Sequence, residues 1–245
     1  TVLMKSIANA FMNSPRMSLG ILISEKNKER TRIVFKEYET IVLTISTLMT
    51  VCYYSLIIPF VSIYTRGVHD ANYIQNGLAV VLGLIFYIEC LHIPSGIFLN
   101  MAGLFKVSRN IQSIAAIILA INLVISCFIG TIISFVIAIL VAAISLALME
   151  IGYVHFGRVM SGNSMDRRSI IDIIVFTILT MVLSFIGFNT TSQCSSYIDL
   201  IISALLVFAL ATAIIFIFLA IYNREFLRKY IGVLRRVFIN LMRKS

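Results

Sequence analysis

The stretch Ile111–Met149, IQSIAAIILAINLVISCFIGTIISFVIAILVAAISLALM, decides the fold. It holds no charged side chain. Lipid hydrocarbon offers no water to exposed backbone, so a chain crosses it only where a helix satisfies its own N–H and C=O groups. About 20 apolar residues span the ~30 Å hydrocarbon core, and this run is long enough to cross twice. Gly130 and Thr131 divide it, because glycine costs least where the chain reverses tightly.

Reading outward, further apolar runs of spanning length lie at 38–64, 74–99, 170–188 and 197–222, beside 111–129 and 131–152 from the divided run. A polar-striped run at 2–23 makes about seven transmembrane helices. The fold class is therefore an all-α integral membrane protein, a polytopic helical bundle over residues 1–222 with a cytoplasmic tail at 223–245. Composition agrees: 60% hydrophobic and 13% charged residues, with a mean hydropathy of +0.99, against about 25% charge in soluble domains. A soluble enzyme is excluded. The net charge of +9 does not imply nucleic acid, because the basic residues sit in short patches between apolar runs rather than on one soluble face.

Those patches predict the topology, since Lys and Arg near span ends accumulate on the cytoplasmic side. Lys26, Lys28, Arg30, Arg32 and Lys36 fall in the connection 24–37, Lys106 and Arg109 in 100–110, and Arg158, Arg167 and Arg168 in 158–169. The tail carries all the other Lys and Arg residues except Lys5, Arg16 and Arg66. The chain then runs from an external N-terminus to a cytoplasmic C-terminus, as a multi-pass protein of a cytoplasmic membrane. Within the tail, Leu227, Ile231, Leu234, Phe238 and Leu241 share one helical face opposite most of the basic residues. Such a helix lies on anionic lipid of the inner leaflet.

Polar groups inside a span are costly and usually face a bundle interior or a water-filled cavity. Lys5, Asn9, Asn13 and Arg16 repeat at helical spacing and form one stripe. A cationic, amide-lined stripe suits an anionic group such as phosphate, making these four the candidate substrate-binding residues. Snorkelling of Lys5 and Arg16 to the two interfaces explains the same pattern. Glu89, His92, Gly96 and Asn100 form a second stripe, interrupted by Pro94, which removes a backbone donor from the helix. A broken helix with an ion pair points to a moving or proton-coupled element, so Glu89, His92 and Pro94 are the candidate coupling or gating residues. A plain hydrogen bond between helices is the alternative. One Glu-x-x-His pair does not make a carboxylate-bridged metal site, and no metal or other cofactor is expected. Glu150, His155, Asp172 and Asp199, near span ends, read as solvated interfacial groups. Thr47, Thr50 and Tyr54 give one helix a mildly polar lining. The four cysteines lack metal or redox spacing, no catalytic signature is present, and no enzymatic activity is expected.

Five segments carry a resemblance. LIIPFVSIYTRGVHDANY at Leu56–Tyr73, SLGILISE at Ser18–Glu25, LHIPSGIFLN at Leu91–Asn100, AGLFK at Ala102–Lys106 and INLVIS at Ile121–Ser126 resemble, in order and spacing, bacterial polysaccharide flippases of the O-antigen and capsule type. YTRGVHDANY is the most specific of them. That family belongs to the multidrug, oligosaccharidyl-lipid and polysaccharide exporter superfamily, whose members pack two pseudo-symmetric bundles around a central cavity; this chain resembles the C-terminal bundle only. His92 and Leu104 depart from the Arg and His frequent at those places in the family. The resemblance implies translocation of a lipid-pyrophosphate-linked oligosaccharide across the bacterial cytoplasmic membrane for surface polysaccharide synthesis, as part of a longer chain. It implies as partners an N-terminal lobe or polysaccharide assembly proteins. A drug or cation exporter of the same superfamily, a membrane-embedded transferase and an inactive truncated fragment are the alternatives.

Overall fold

The structure is a computed structural model that describes residues 16–25, 27–68, 73–156, 167–191, 194 and 196–222. These form helices α1 (Arg16–Ser24), α2 (Lys28–Tyr64), α3 (Asn76–Leu91), α4 (Ile93–Met101), α5 (Phe105–Ile129), α6 (Ile132–Phe156), α7 (Arg167–Thr191) and α8 (Tyr197–Tyr222), with no strand among the described residues. Six helical stretches are long and apolar enough to cross a membrane, α3 and α4 together making one of them. The chain is thus an all-α, multi-pass membrane protein. Most of the run 2–23 and the whole tail lie outside the described residues.

Several helices begin earlier than their apolar runs. Asn27 caps α2, its side chain accepting the Arg30 N–H at 3.1 Å, and Glu29 stands in the first turn, where a negative charge complements the helix dipole. The connection expected at 24–37 is therefore mostly helix. With 37 residues, α2 is roughly 55 Å long, more than the hydrocarbon core needs, and its charged first turns project along the bundle end. Likewise α5 starts at Phe105 and takes up Lys106 and Arg109. The division at Gly130 is as expected: Gly130 ends α5 in the left-handed region, φ 69°, and α6 starts two residues later.

Helix α2 is the spine of the bundle. On one side Phe35, Tyr38 and Val42 pack with Leu19 of α1, Phe86 of α3, Phe98 of α4, Ile111 of α5 and Val154 of α6. On the other, Leu43 and Val51 pack with Phe176 and Leu183 of α7 and Ala211 and Ile215 of α8. Small residues and hydroxyls tighten these contacts, as expected where lipid supplies no hydrophobic drive between helices. Pro59 cannot donate to the carbonyl of Ser55; the hydroxyl of Thr191 on α7 donates to that carbonyl instead. Thr47 and Thr180 hydroxyls meet at 2.8 Å between the same two helices.

Successive spans are antiparallel, so the start of α2, the α3–α4 break, the end of α6 and the start of α7 gather at one end of the bundle. That end also carries nearly all the described basic residues. The opposite end holds Arg66.

Candidate functional site

The spanning stretch Asn76–Met101 is not one helix. It breaks at His92, which ends α3 and starts α4, with Pro94 in the first turn of α4. Proline fits there, where a backbone N–H has no helical acceptor. The break brings the imidazole of His92 toward α6, where its Nδ1 lies 2.8 Å from Glu150 Oε2. Glu150 is 2% exposed and Pro94 is buried. Gly96, on the turn after the break, makes this approach possible: a Cβ there would stand 2.8 Å from the same carboxylate oxygen.

A second pair lies one turn further along α6. His155 Nε2 is 3.0 Å from Glu39 Oε1 of α2, a close contact that does not make a hydrogen bond, and His155 Nδ1 has no hydrogen-bond partner either. Both side chains are buried. The ring of His155 stands 6.0 Å from that of Phe35. A third pair, Lys36 Nζ to Asp172 Oδ2 at 3.8 Å, ties the same stretch of α2 to α7. Two histidine–carboxylate pairs and one lysine–carboxylate pair thus link α2, the α3–α4 break, α6 and α7 at one end of the bundle.

A buried pair of this kind contributes little net stability, because desolvation offsets most of the attraction, but losing one partner costs about 3–5 kcal/mol. The arrangement acts as a set of latches. Each pair holds two helices in register while both partners are present and charged or hydrogen-bonded. Releasing one leaves an uncompensated group inside the bundle.

Among the expected gating residues, His92 and Pro94 meet at the break as anticipated, but the ionic partner of His92 is Glu150 of α6 rather than Glu89. Glu89 and His92 are three positions apart, with two residues between them, and His92 stands at the break where α3 ends. Glu89 is half-buried on α3. Glu150, His155 and Asp172 are buried and paired instead of solvated at an interface. Glu150 is covered by the α3–α4 break, through His92 and Gly96, whereas α2 supplies Glu39 and Phe35 beside His155 and Lys36 beside Asp172. Asp199 is exposed. Lys5, Asn9 and Asn13 lie outside the described residues, as does the side chain of Arg16. No group of three or more His, Cys, Asp or Glu side chains suited to a metal occurs among the described residues.

No protein-family model, curated protein or solved structure matches this chain.

Proposed function

We propose that this chain is a transporter lobe that takes part in flipping a lipid-pyrophosphate-linked oligosaccharide from the inner to the outer leaflet of the bacterial cytoplasmic membrane. The transporter class rests above all on one observation: a spanning helix broken at His92 and latched to α6 through buried Glu150. Broken helices with ionisable groups at the break are the recurring moving parts of secondary transporters. The substrate class rests on the sequence resemblance, YTRGVHDANY foremost.

In this reading the N-terminus is external and the basic end of the bundle is cytoplasmic. Lys5, Asn9, Asn13 and Arg16 hold the pyrophosphate and sugars in a cavity completed by a second lobe. The α3–α4 break hinges as that cavity changes sides. The His92–Glu150 pair is the latch, and its release and re-formation couple to the hinge. The chain performs no covalent chemistry. Its tail, residues 223–245, rests on anionic lipid.

The test is made in the producing cell. Glu150→Gln keeps volume and hydrogen-bonding capacity and removes charge; Lys5→Ala and Arg16→Ala each remove one cation of the stripe. All three should lower surface polysaccharide at unchanged protein abundance. Normal polysaccharide with raised sensitivity to cationic drugs would replace the reading by a drug exporter, and no phenotype at all by an inactive fragment.

A further inference from the structure

Away from the latches, in the half of the bundle remote from Lys28, the walls of α3 and α7 stand apart over α2 and enclose a cleft of about 400 Å³. Thr50 and Tyr54 lie on its α2 side. Its inner end is closed by the Tyr87 hydroxyl meeting Thr177 of α7 at 3.1 Å. Tyr54 is pinned by donating to the Val80 carbonyl at 2.7 Å, and Gly83 makes room for its ring, since a Cβ there would stand 2.5 Å from it. Val80, Met181 and Phe185 line the cleft and are also largely exposed on the outer surface of the bundle. The cleft therefore opens sideways, at the depth of the bilayer. No Asp, Glu, Lys or Arg lines it.

Two hydroxyls in this cleft behave unlike their neighbours. Along α2, Ser46 and Ser55 each donate to the carbonyl four residues back, and along α7 Thr177 and Thr180 do the same. This is how Ser and Thr are normally satisfied in membrane helices. Thr50 and Ser184, 1% and 8% exposed, have no hydrogen-bond partner. Both line the cleft. Buried polar groups without partners are rare and costly.

Water is a poor occupant. At ~30 Å³ each, a dozen molecules would be needed, and each ordered water wants two to four polar partners, which this lining does not supply. The volume falls in the usual range of small-molecule sites, roughly 300–1,000 Å³, which are mostly apolar with a few placed polar groups.

We propose that the cleft between α2, α3 and α7 is a binding site for a neutral amphiphile entering from the bilayer, its hydrocarbon chain along Val80, Met181 and Phe185 and a single hydroxyl or carbonyl on Thr50 and Ser184. The site is independent of the transporter reading, because it rests on this cleft and not on the latches or the resemblance.

The test uses the full chain in lipid nanodiscs with two photoactivatable probes of equal length, a sixteen-carbon primary alcohol and the matching hydrocarbon. The alcohol should cross-link to α2, α3 and α7 within the cleft and be captured about fivefold or more better than the hydrocarbon, the ratio two neutral hydrogen bonds supply. Thr50→Val with Ser184→Ala should erase that ratio while hydrocarbon capture stays unchanged. Ala79→Phe, which fills the cleft, should abolish capture of both. The Thr50/Ser184 variant, nearly isosteric, keeps the test decisive if Ala79→Phe misfolds. Equal capture of the two probes by the unmodified chain, an unchanged ratio in the double variant, or stronger capture of a charged sixteen-carbon probe would overturn the site and leave only bulk lipid on the surface.

Discussion

Replacing Gly96 by Ala isolates the latch at the helix break. A Cβ at 96 would lie 2.8 Å from Glu150 Oε2 and 3.5 Å from its Cδ and Oε1. To regain ordinary contact near 3.4 Å the carboxylate must retreat by roughly 0.6 Å. It is held at 2.8 Å by His92, and such a retreat takes that bond out of good hydrogen-bonding range. A hydrogen bond to a charged group contributes about 1.5–3 kcal/mol. Against this, Ala exceeds Gly in helix propensity by about 0.8–1.0 kcal/mol. The loss wins, and Gly96→Ala should destabilise by about 1–2 kcal/mol. With Glu150→Ala in place there is no carboxylate to displace, so the same substitution should stabilise by up to about 1 kcal/mol. The sign change gives a coupling of about 2–3 kcal/mol, at the upper end for residues in contact. Equilibrium unfolding of the four proteins in detergent micelles measures it. An equal effect of Gly96→Ala in both backgrounds would refute the latch geometry.

Other outcomes follow from the same structure. Glu39→Ala leaves the buried His155 ring without its neighbouring carboxylate and should cost about 1–3 kcal/mol in the same unfolding measurement; a cost under 1 kcal/mol would mean that water already reaches the pair. In otherwise cysteine-free protein, a cysteine at position 66 should react with impermeant thiol reagent on intact cells, and one at position 28 only after permeabilisation. Labelling at 28 from outside would reverse the proposed orientation. A peptide of residues 223–245 should become helical on anionic vesicles and bind more weakly as salt rises, because each basic residue near the leaflet contributes about 1 kcal/mol within a Debye length of ~8 Å. A peptide that stays unbound on anionic vesicles at low salt would remove the interfacial helix.

What the sequence shows and hides has a physical basis. The uncharged run 111–149 could only be two helices, and Gly130 was the one position inside it suited to the reversal; both are where composition puts them. Pro94 likewise marks the break, because a proline's missing N–H is a local property. Partner choice is not local. His92 and Glu150 are 58 residues apart, and nothing in a single sequence says that α4 and α6 meet there. Glu150, His155 and Asp172 looked solvated because the end of an apolar run was equated with the membrane surface. That equation fails because the α3–α4 break packs over Glu150, and because α2 is already helix at Lys36 and Glu39, which meet Asp172 and His155. Gly96 stands on the polar stripe in the sequence, but its part in admitting Glu150 emerges only from the packing. The unsatisfied hydroxyls of Thr50 and Ser184 were equally illegible, since most membrane-helix hydroxyls bond their own backbone and only geometry shows which do not.

The most direct test of the proposed activity follows the substrate across the membrane in spheroplasts of the producing cell. A glycan-cleaving enzyme added outside reports how much lipid-linked oligosaccharide has reached the outer leaflet. With the protein present the oligosaccharide should be cleaved. When the protein is depleted, or carries Glu150→Gln, most of it should remain protected while total lipid-linked oligosaccharide accumulates. Equal cleavage with and without the protein would contradict the flippase account.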